Sequence, residues 1–350
     1  MTAKKYLWTI LMSLVLFIIF HLLTWNFLTK FVFDNQNSSI GDLGRMSYLK
    51  KSLMPRVEEQ NLLNKHIPYK ANKKVDVLTI GDSFSNGGGA GENGYYQDFI
   101  ATEQNLTVMN IQPFPQGYIE TVLILEKSGF LDRIKPKIII LQSVERFSIK
   151  RFSKNILWEI SLNQKKVETL LEKKYNLEMP HPFFINNLNF NALLYNILYH
   201  YNNHAFFSKT YIEELNQDFF SVEESRKLLF YYKDLKNIPL ASKKNLTLLN
   251  NNLNFLQKIL DKKNIQLYFM PSIDKYNLYS PYIIKKHISS LFFERLREFP
   301  KEYNFIDTKS ILQKLTNREV IDVYYSDDSH WSAKASKEIF TQIKLKGKNQ

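Results

Sequence analysis

Cysteine is absent from this 350-residue chain, and glycine and proline are scarce, at 11 residues each. A chain without cysteine forms no disulfide, no thiolate zinc site and no cysteine nucleophile, and it is compatible with oxidising and reducing compartments alike. The scarcity of glycine and proline excludes collagen-like and low-complexity sequences. The remaining composition, 44% hydrophobic and 23% charged, is typical of a globular protein.

Negative charge is also in short supply, with 34 Asp and Glu against 47 Lys and Arg and a net charge of +13. Nucleic acid, anionic lipid or an acidic polysaccharide would each match this excess. The lysines are scattered, and no zinc-finger, basic-zipper or aromatic-basic RNA-binding motif is found, so no nucleic-acid partner is predicted. The charge alone does not choose between an acidic polymer and a lipid surface.

Residues 6–25 contain no Asp, Glu, Lys or Arg, and a helix of about 20 apolar residues crosses a bilayer. Lys4 and Lys5 precede this run, which by the positive-inside rule predicts a cytoplasmic tail at 1–5 and an extracytoplasmic remainder. No small-x-small cleavage site follows, so an uncleaved signal anchor in the cytoplasmic membrane is favoured over a cleaved signal peptide. Residues 26–70 are predicted to be a polar juxtamembrane tether.

The rest of the chain, 71–346, alternates short apolar runs with amphipathic stretches. This alternation predicts an α/β domain with a mostly parallel sheet covered on both faces. The alternation fails over about 150–240, which is interpreted as a helical insertion. Strands are predicted at 74–80, 106–111, 137–141, 265–270 and 305–307, and helices at 95–103, 118–130, 246–260, 288–299 and 333–343.

Two short motifs carry the candidate chemistry. The first, Gly81-Asp82-Ser83, follows the first predicted strand, where a parallel α/β sheet binds its ligands. The second, at 324–332, precedes the last predicted helix and contains His330 beside Asp327 and Asp328. A nucleophilic serine needs a base to take its proton and a carboxylate to orient that base. The two motifs together therefore predict a serine-histidine-carboxylate site, with the choice between the two aspartates left open.

These motifs resemble those of the SGNH (GDSL-type) hydrolase superfamily, and Asp328-Ser329-His330-Trp331 is similar to the Asp-x-His-Trp motif of its alginate O-acetyltransferase-like branch. The resemblance implies a flavodoxin-like three-layer sandwich, with Ser83 as nucleophile and His330 as base. The Asp-x-His-Trp match assigns the carboxylate to Asp328, whereas the general superfamily spacing assigns it to Asp327. Further oxyanion or binding residues are expected at Gly81, Asp82, Gly117 and Trp331.

The resemblance implies a membrane-anchored acyltransferase that acetylates a cell-surface or secreted polysaccharide through an acyl-enzyme. Its expected partners are a glycan acceptor, an acetyl donor delivered across the membrane and a multi-span membrane O-acyltransferase, and no cofactor or metal is expected. The asparagine that the superfamily carries after its third strand is missing, because Gln142-Ser143-Val144 occupies that position. Two alternatives stay open: a carbohydrate acetyl-esterase with the same triad, and a catalytically inactive glycan-binding or scaffold subunit.

Overall fold

A five-stranded parallel sheet forms the centre of the molecule. The structure is a computed structural model, and it describes residues 2–33, 40–54, 62–69, 73–89, 94–172, 183–285 and 288–348. The order of its strands is β2-β1-β3-β6-β7, and every neighbouring pair is parallel. A separate antiparallel hairpin pairs β4 with β5. In the described residues the strands are β1 (Val77–Ile80), β2 (Val108–Ile111), β3 (Ile138–Val144), β4 (Thr210–Glu214), β5 (Lys227–Tyr231), β6 (Gln266–Ser272) and β7 (Asn304–Phe305).

The α-helices of the described residues lie between these strands in the sequence and on either side of them. They are α1 (Ala3–Thr24), α2 (Asp42–Ser47), α3 (Tyr96–Gln104), α4 (Tyr118–Lys127), α5 (Phe130–Ile134), α6 (Glu145–Phe152), α7 (Gln164–Glu172), α8 (Leu188–Leu198), α9 (Tyr232–Lys236), α10 (Lys243–Asp261), α11 (Lys275–Tyr279), α12 (Phe292–Arg297), α13 (Thr308–Asn317) and α14 (Ala333–Gln342). One group, α3, α13 and α14, packs together, and a second group packs α4 and α10 against α6.

Apolar sequence explains why the sheet is covered on both faces. Every residue of β1 and β3 is buried, as expected for continuous apolar runs in a parallel sheet. Helix α10 shows how one covering element is specified. The Ser242 side chain accepts the N–H of Asn245 at its start, and buried leucines then recur at helical spacing against β6: Leu246, Leu249, Leu253, Leu256 and Leu260.

The predicted α/β class and parallel sheet are confirmed, and the strands lie within a few residues of the predicted positions. Counted among themselves, the sheet strands follow the order 2-1-3-4-5, one of the two common orders of doubly wound sheets. The insertion over 150–240 is mixed rather than helical, because it contains the hairpin β4–β5 beside α7, α8 and α9. The predicted helix at 118–130 is divided into α4 and α5, with Gly129 in the left-handed region between them.

The N-terminal helical segment extends from Ala3 to Phe33 and is long and apolar enough to cross a membrane. Its first part is largely exposed, which is the arrangement that a lipid-facing helix requires. Within the predicted tether, the described residues 40–54 do not extend away from the domain: they fold against it, with α2 in contact with α8 and the hairpin. We call residues 40–54 the juxtamembrane segment.

The sheet topology creates a switch point beside β1. The chain runs from β1 to β2 on one side and then returns to β3 on the other side of β1. Ligands of doubly wound sheets bind at such a point, beyond the carboxyl ends of the strands. Gly81 and Asp82 directly follow β1 there.

Candidate active site

The turn after β1, residues 81–89, is called the serine loop and packs tightly against the end of β3. A Cβ at Gly81 would collide with Ser85 Oγ and Gln142 Oε1, so only glycine fits. Gln142 Oε1 accepts the backbone N–H of Asp82 at 2.9 Å and the Ser85 hydroxyl at 3.0 Å. The Gln142 side chain, from β3, therefore fixes the turn that carries Ser83.

The Asp82 carboxylate completes the anchoring of this turn. It accepts the backbone N–H of Val144 at 2.8 Å and that of Phe84 at 3.2 Å, and it forms an ion pair with Arg151. Burial would raise the pKa of Asp82, but the charge of Arg151 and these hydrogen bonds outweigh it, and the pKa lies below its ordinary value. Asp82 is thus an ionised positioning residue rather than an oxyanion donor.

Ser83, His330 and Asp328 form a continuous hydrogen-bonded relay. His330 Nε2 lies 2.6 Å from Ser83 Oγ, and His330 Nδ1 lies 2.6 Å from Asp328 Oδ1. A carboxylate only accepts hydrogen bonds, so the Nδ1 atom carries the proton and Nε2 is free to accept the proton of the serine hydroxyl. Ser83 is exposed, whereas His330 and Asp328 are 7% and 3% exposed, so of the three side chains only the candidate nucleophile faces solvent.

The environment of His330 favours a strong base. Burial would lower its pKa, but the charge of Asp328 and the hydrogen bond to it prevail, and the pKa lies above the ordinary 6.5. The charge of Asp42 acts in the same direction. A raised pKa increases the driving force for taking a proton from a serine hydroxyl.

Phe84 and Gly88 lie where the serine loop meets residues 324–332, which we call the histidine loop. The buried ring of Phe84 packs against the rings of His330 and Trp331, with centroids 4.6 and 4.8 Å away. Gly88 donates its N–H to Ser83 O at 2.7 Å, and a Cβ at Gly88 would collide with His330 Nε2 and Ser83 O. The glycines after Ser83 therefore let the imidazole approach the hydroxyl, a role that the sequence did not reveal.

The juxtamembrane segment contacts the histidine loop directly. The N–H of Gly41 donates to Asp327 Oδ2 at 3.0 Å, and the N–H of Asp42 donates to Asp328 Oδ2 at 3.2 Å. In return, the Asp42 carboxylate accepts the N–H and the hydroxyl of Ser329 at 2.8 and 2.6 Å. Residues next to the N-terminal apolar helix thus position the carboxylate that orients the candidate base.

Lys275, at the start of α11, supports the histidine loop from below the surface. Its Nζ donates to three backbone carbonyls, those of Tyr325 at 2.7 Å, Ser326 at 2.8 Å and Asp328 at 3.2 Å. Burial lowers its pKa to about 7, against the opposing charges of the neighbouring aspartates, of which Asp327 is the foremost. Asp327 therefore faces Gly41 and Lys275, while Asp328 orients His330.

Two of the predicted binding residues have other roles. The N–H of Gly117 is occupied, because it donates to Phe114 O at 3.0 Å in the turn before α4, so it is no oxyanion donor. Trp331 is 5% exposed and packs in the core, so it offers no surface to a glycan. Among the described residues, the backbone N–H of Ser83 has no hydrogen-bond partner, and it is therefore a candidate to stabilise an oxyanion.

One ligand atom from each of Asp42, Asp328 and His330 lies within 4.8 Å of the others, a spacing at which a metal ion could bind. These atoms are already hydrogen-bonded to Ser329, to one another and to Ser83, which describes a proton relay better than a metal cage.

No protein-family model, curated protein or solved structure matches the chain.

Proposed function

We propose that this protein is a membrane-anchored serine acyltransferase of the SGNH type, which acetylates a hydroxyl group of a glycan outside the cytoplasmic membrane. The observation that supports this proposal is the relay from exposed Ser83 through His330 to Asp328, with both hydrogen bonds at 2.6 Å. Each member has the residue type and the neighbour that nucleophilic acyl transfer requires.

Acylation would begin when Ser83 Oγ attacks the carbonyl carbon of an acetyl ester or thioester while its proton passes to His330 Nε2. The carbonyl oxygen becomes an oxyanion, which the N–H of Ser83 can stabilise. Collapse of this intermediate breaks the bond to the leaving group, which takes the proton from His330 and leaves acetyl-Ser83. In the second half, a glycan hydroxyl gives its proton to His330 Nε2 and attacks the carbonyl carbon of acetyl-Ser83. The bond between that carbon and Ser83 Oγ then breaks, and Oγ takes the proton back from His330, which releases the acetylated glycan and regenerates Ser83.

The N-terminal apolar helix supports the proposed location. Lys4 and Lys5 lie in the first turn of α1, before its uncharged run, and the positive-inside rule then keeps the N-terminus in the cytoplasm and the domain outside. An acetyl donor made in the cytoplasm would have to cross the membrane, so a multi-span membrane O-acyltransferase is the proposed partner. The excess of basic residues is compatible with an acidic glycan as acceptor.

Hydrolysis of an acetylated glycan is the second candidate. The exposure of Ser83 favours it, because water can reach the acetyl-serine as readily as a sugar hydroxyl can. Both reactions share the first half and differ only in the acceptor. Acceptor choice therefore distinguishes them.

The test uses the full chain in detergent with 4-nitrophenyl acetate. We expect an acetyl adduct on Ser83 by intact-mass and peptide mass spectrometry, which is lost in Ser83→Ala and retained in Ser161→Ala, a control at another exposed serine. Acetylated oligosaccharide after addition of a glycan supports transfer, whereas acetate alone supports the esterase. A wild-type chain that forms no adduct and does not react with a fluorophosphonate would overturn both and favour an inactive scaffold.

A further inference from the structure

Helix α8 and its flanks form an apolar surface without charge. Residues 183–208 contain no Asp, Glu, Lys or Arg, although 23% of the whole chain is charged. Along α8 and the turn after it, exposed apolar and aromatic side chains recur at a spacing that puts them on one helix face: Phe190, Leu193, Leu194, Ile197 and Tyr201. Phe183, Ile185, Phe206 and Phe207 extend this surface on either side, and all four are exposed.

The opposite face of α8 is packed and polar. Asn189 and Ala192 are fully buried there, and Asn196 Nδ2 donates to Ala192 O at 2.8 Å and to Tyr48 O at 3.5 Å. The helix therefore turns Asn189 and Asn196 toward the protein, whereas its large apolar side chains and Asn191 are turned outward. A soluble helix has the reverse arrangement, so a medium other than water is expected to cover the exposed face.

Contacts with α1 fix where α8 lies. Asn189 Nδ2 is 2.8 Å from His21 Nδ1, and both residues are buried in this contact. The Phe190 ring stacks on Phe20 with centroids 4.8 Å apart. Phe20 and His21 belong to the apolar run of α1, before Trp25 at its end, so α8 is packed against the segment that is proposed to cross the membrane.

The depth of α8 in the membrane follows from the geometry of the N-terminal helix that it contacts. Tryptophan favours the membrane interface, which puts Trp25 at the level of the headgroups. His21 precedes it by four residues, which at 1.5 Å a residue is about 6 Å deeper. Amphipathic helices that lie in a membrane surface bury their apolar face by about 5–10 Å. The contact between Asn189 and His21 brings α8 to that depth.

We infer that α8 lies within the membrane leaflet on the side of the domain, and that lipid acyl chains cover the face formed by Phe190, Leu193, Leu194 and Ile197. This inference rests on the proposed anchoring of α1. It gives the domain a second membrane attachment, which begins 185 residues after the start of α1 by the bounds of the two helices, Ala3–Thr24 and Leu188–Leu198. The occupant is lipid because the face is continuous with the lipid-facing surface of α1 and contains no charge to recognise a polar partner.

A second attachment has a consequence for the site. Helix α8 contacts α2, whose first residue, Asp42, bonds to the histidine loop. An anchor with one helix alone would leave the domain free to rotate over the membrane, whereas two attachments hold the mouth of the site in one orientation. Ser83 would then meet donors presented at the membrane surface.

The absence of cysteine makes the test direct, since single cysteines can be introduced and labelled without removing any native thiol. The full chain, carrying Leu194→Cys with an environment-sensitive fluorophore, is reconstituted into phosphatidylcholine-phosphatidylglycerol nanodiscs with or without lipids spin-labelled near the headgroup. Leu16→Cys in α1 reports the anchor. Leu248→Cys is the matched control, because it replaces a leucine of similar exposure, 38% against 41%, on α10.

We expect the label at 194 to lose most of its fluorescence to the spin-labelled lipid and to be protected from aqueous iodide, while the label at 248 behaves in the opposite way. If the label at 16 is protected from iodide but the label at 194 is quenched by iodide and not by the spin-labelled lipid, α1 is in the membrane and the inference about α8 is wrong. The exposed face of α8 would then be expected to bind a protein partner. If the labels at 16 and 194 are both quenched by iodide, the anchoring fails and the inference falls with it.

Discussion

The serine loop and the histidine loop meet at one hydrogen bond, but they are held in different ways. The serine loop depends on the sheet itself, through Gln142 and Val144 of β3 and the ion pair of Asp82 with Arg151 of α6. The histidine loop depends on Lys275 and on the juxtamembrane segment, whose Gly41 and Asp42 lie 286 residues before the aspartates that they contact. The sheet thus positions Ser83, the proposed nucleophile, whereas the juxtamembrane segment, docked on the histidine loop, helps to position His330, the proposed base.

The two aspartates of the histidine loop provide the sharpest test of this division. Asp328→Asn would donate an amide N–H to His330 Nδ1 and put the ring proton on Nε2, where it cannot accept the serine proton. We expect a loss of about 10⁴-fold in the rate of Ser83 acylation. Asp327→Asn still accepts the N–H of Gly41, so we expect a loss of about tenfold or less, in line with about 1 kcal/mol for one weakened hydrogen bond.

Both rates are measured by the release of nitrophenol from 4-nitrophenyl acetate, with thermal unfolding as a check on folding. Equal losses in the two variants would mean that Asp328 is not the sole orienting carboxylate. A larger loss in Asp327→Asn would reverse the assignment and give the orienting role to Asp327.

Gly88→Ala tests how the serine loop contributes to the contact between Ser83 and His330. The added methyl group would collide with His330 Nε2 and Ser83 O, so the imidazole or the turn must move. A displacement of about 1 Å at a reacting pair costs about 10²-fold in rate. We expect that loss in acylation with little change in the far-ultraviolet circular dichroism of the chain. Acylation at the wild-type rate would show that the loops do not approach each other as closely as described.

Gly41→Ala tests the histidine side. Its Cβ would collide with Asp327 O and Asp328 Cβ, which lifts the juxtamembrane segment off the loop and weakens the hydrogen bonds from Gly41 and Asp42. Two hydrogen bonds of about 1 kcal/mol each correspond to a loss of about 30-fold in acylation rate. Wild-type activity in this variant would mean that the segment is only a tether.

Gly129→Ala is the control for Gly41→Ala, because it is expected to lower the stability of the chain and to leave the acylation rate unchanged, whereas Gly41→Ala is expected to lower the acylation rate. Gly129 has φ +73° and open space around its added Cβ, between α4 and α5 and outside the site. A side chain in that conformation costs about 1–2 kcal/mol of stability. We expect a lower melting temperature with unchanged acylation, which separates the effect of stability from that of docking.

The parts of the fold that could be predicted are those whose burial leaves a local pattern. Strands β1 and β3 are buried on both faces and are therefore continuous apolar runs in the sequence. The hairpin was missed because β4 and β5 are short and carry charges, and their pairing depends on a contact across a loop that has no strand pattern of its own. A pattern based on composition could not distinguish it from a helical insertion.

The residues of the candidate site fall into the same two groups, those with a local sequence pattern and those without one. Ser83 and His330 were found because their neighbours in sequence form motifs at the ends of predicted elements. Asp42 and Lys275 were missed because each acts through residues far along the chain, and a polar residue in a short polar stretch is typical of a solvated linker. Gly41 and Gly44 on either side of Asp42 were the one available signal, since small residues permit a close backbone approach.

The smallest effect that we expect concerns pH. Acylation requires neutral His330, so the rate falls as pH drops through the pKa of His330, which is raised above 6.5 chiefly by Asp328 against the opposing effect of burial. The acidic limb of the wild-type profile should therefore lie above 6.5. Asp42→Asn removes a second carboxylate that raises this pKa, so the limb should move to lower pH, with a modest change of rate on the alkaline plateau.

The direction of this shift distinguishes electrostatics from packing. If Asp42 only holds the loop through Ser329, its substitution lowers the rate by the same factor at every pH and leaves the midpoint in place. If its charge also acts on the imidazole, the midpoint falls while the plateau is largely retained. A profile of kcat/KM for both chains, measured at constant ionic strength because salt screens exposed charges more than buried ones, decides between the two roles.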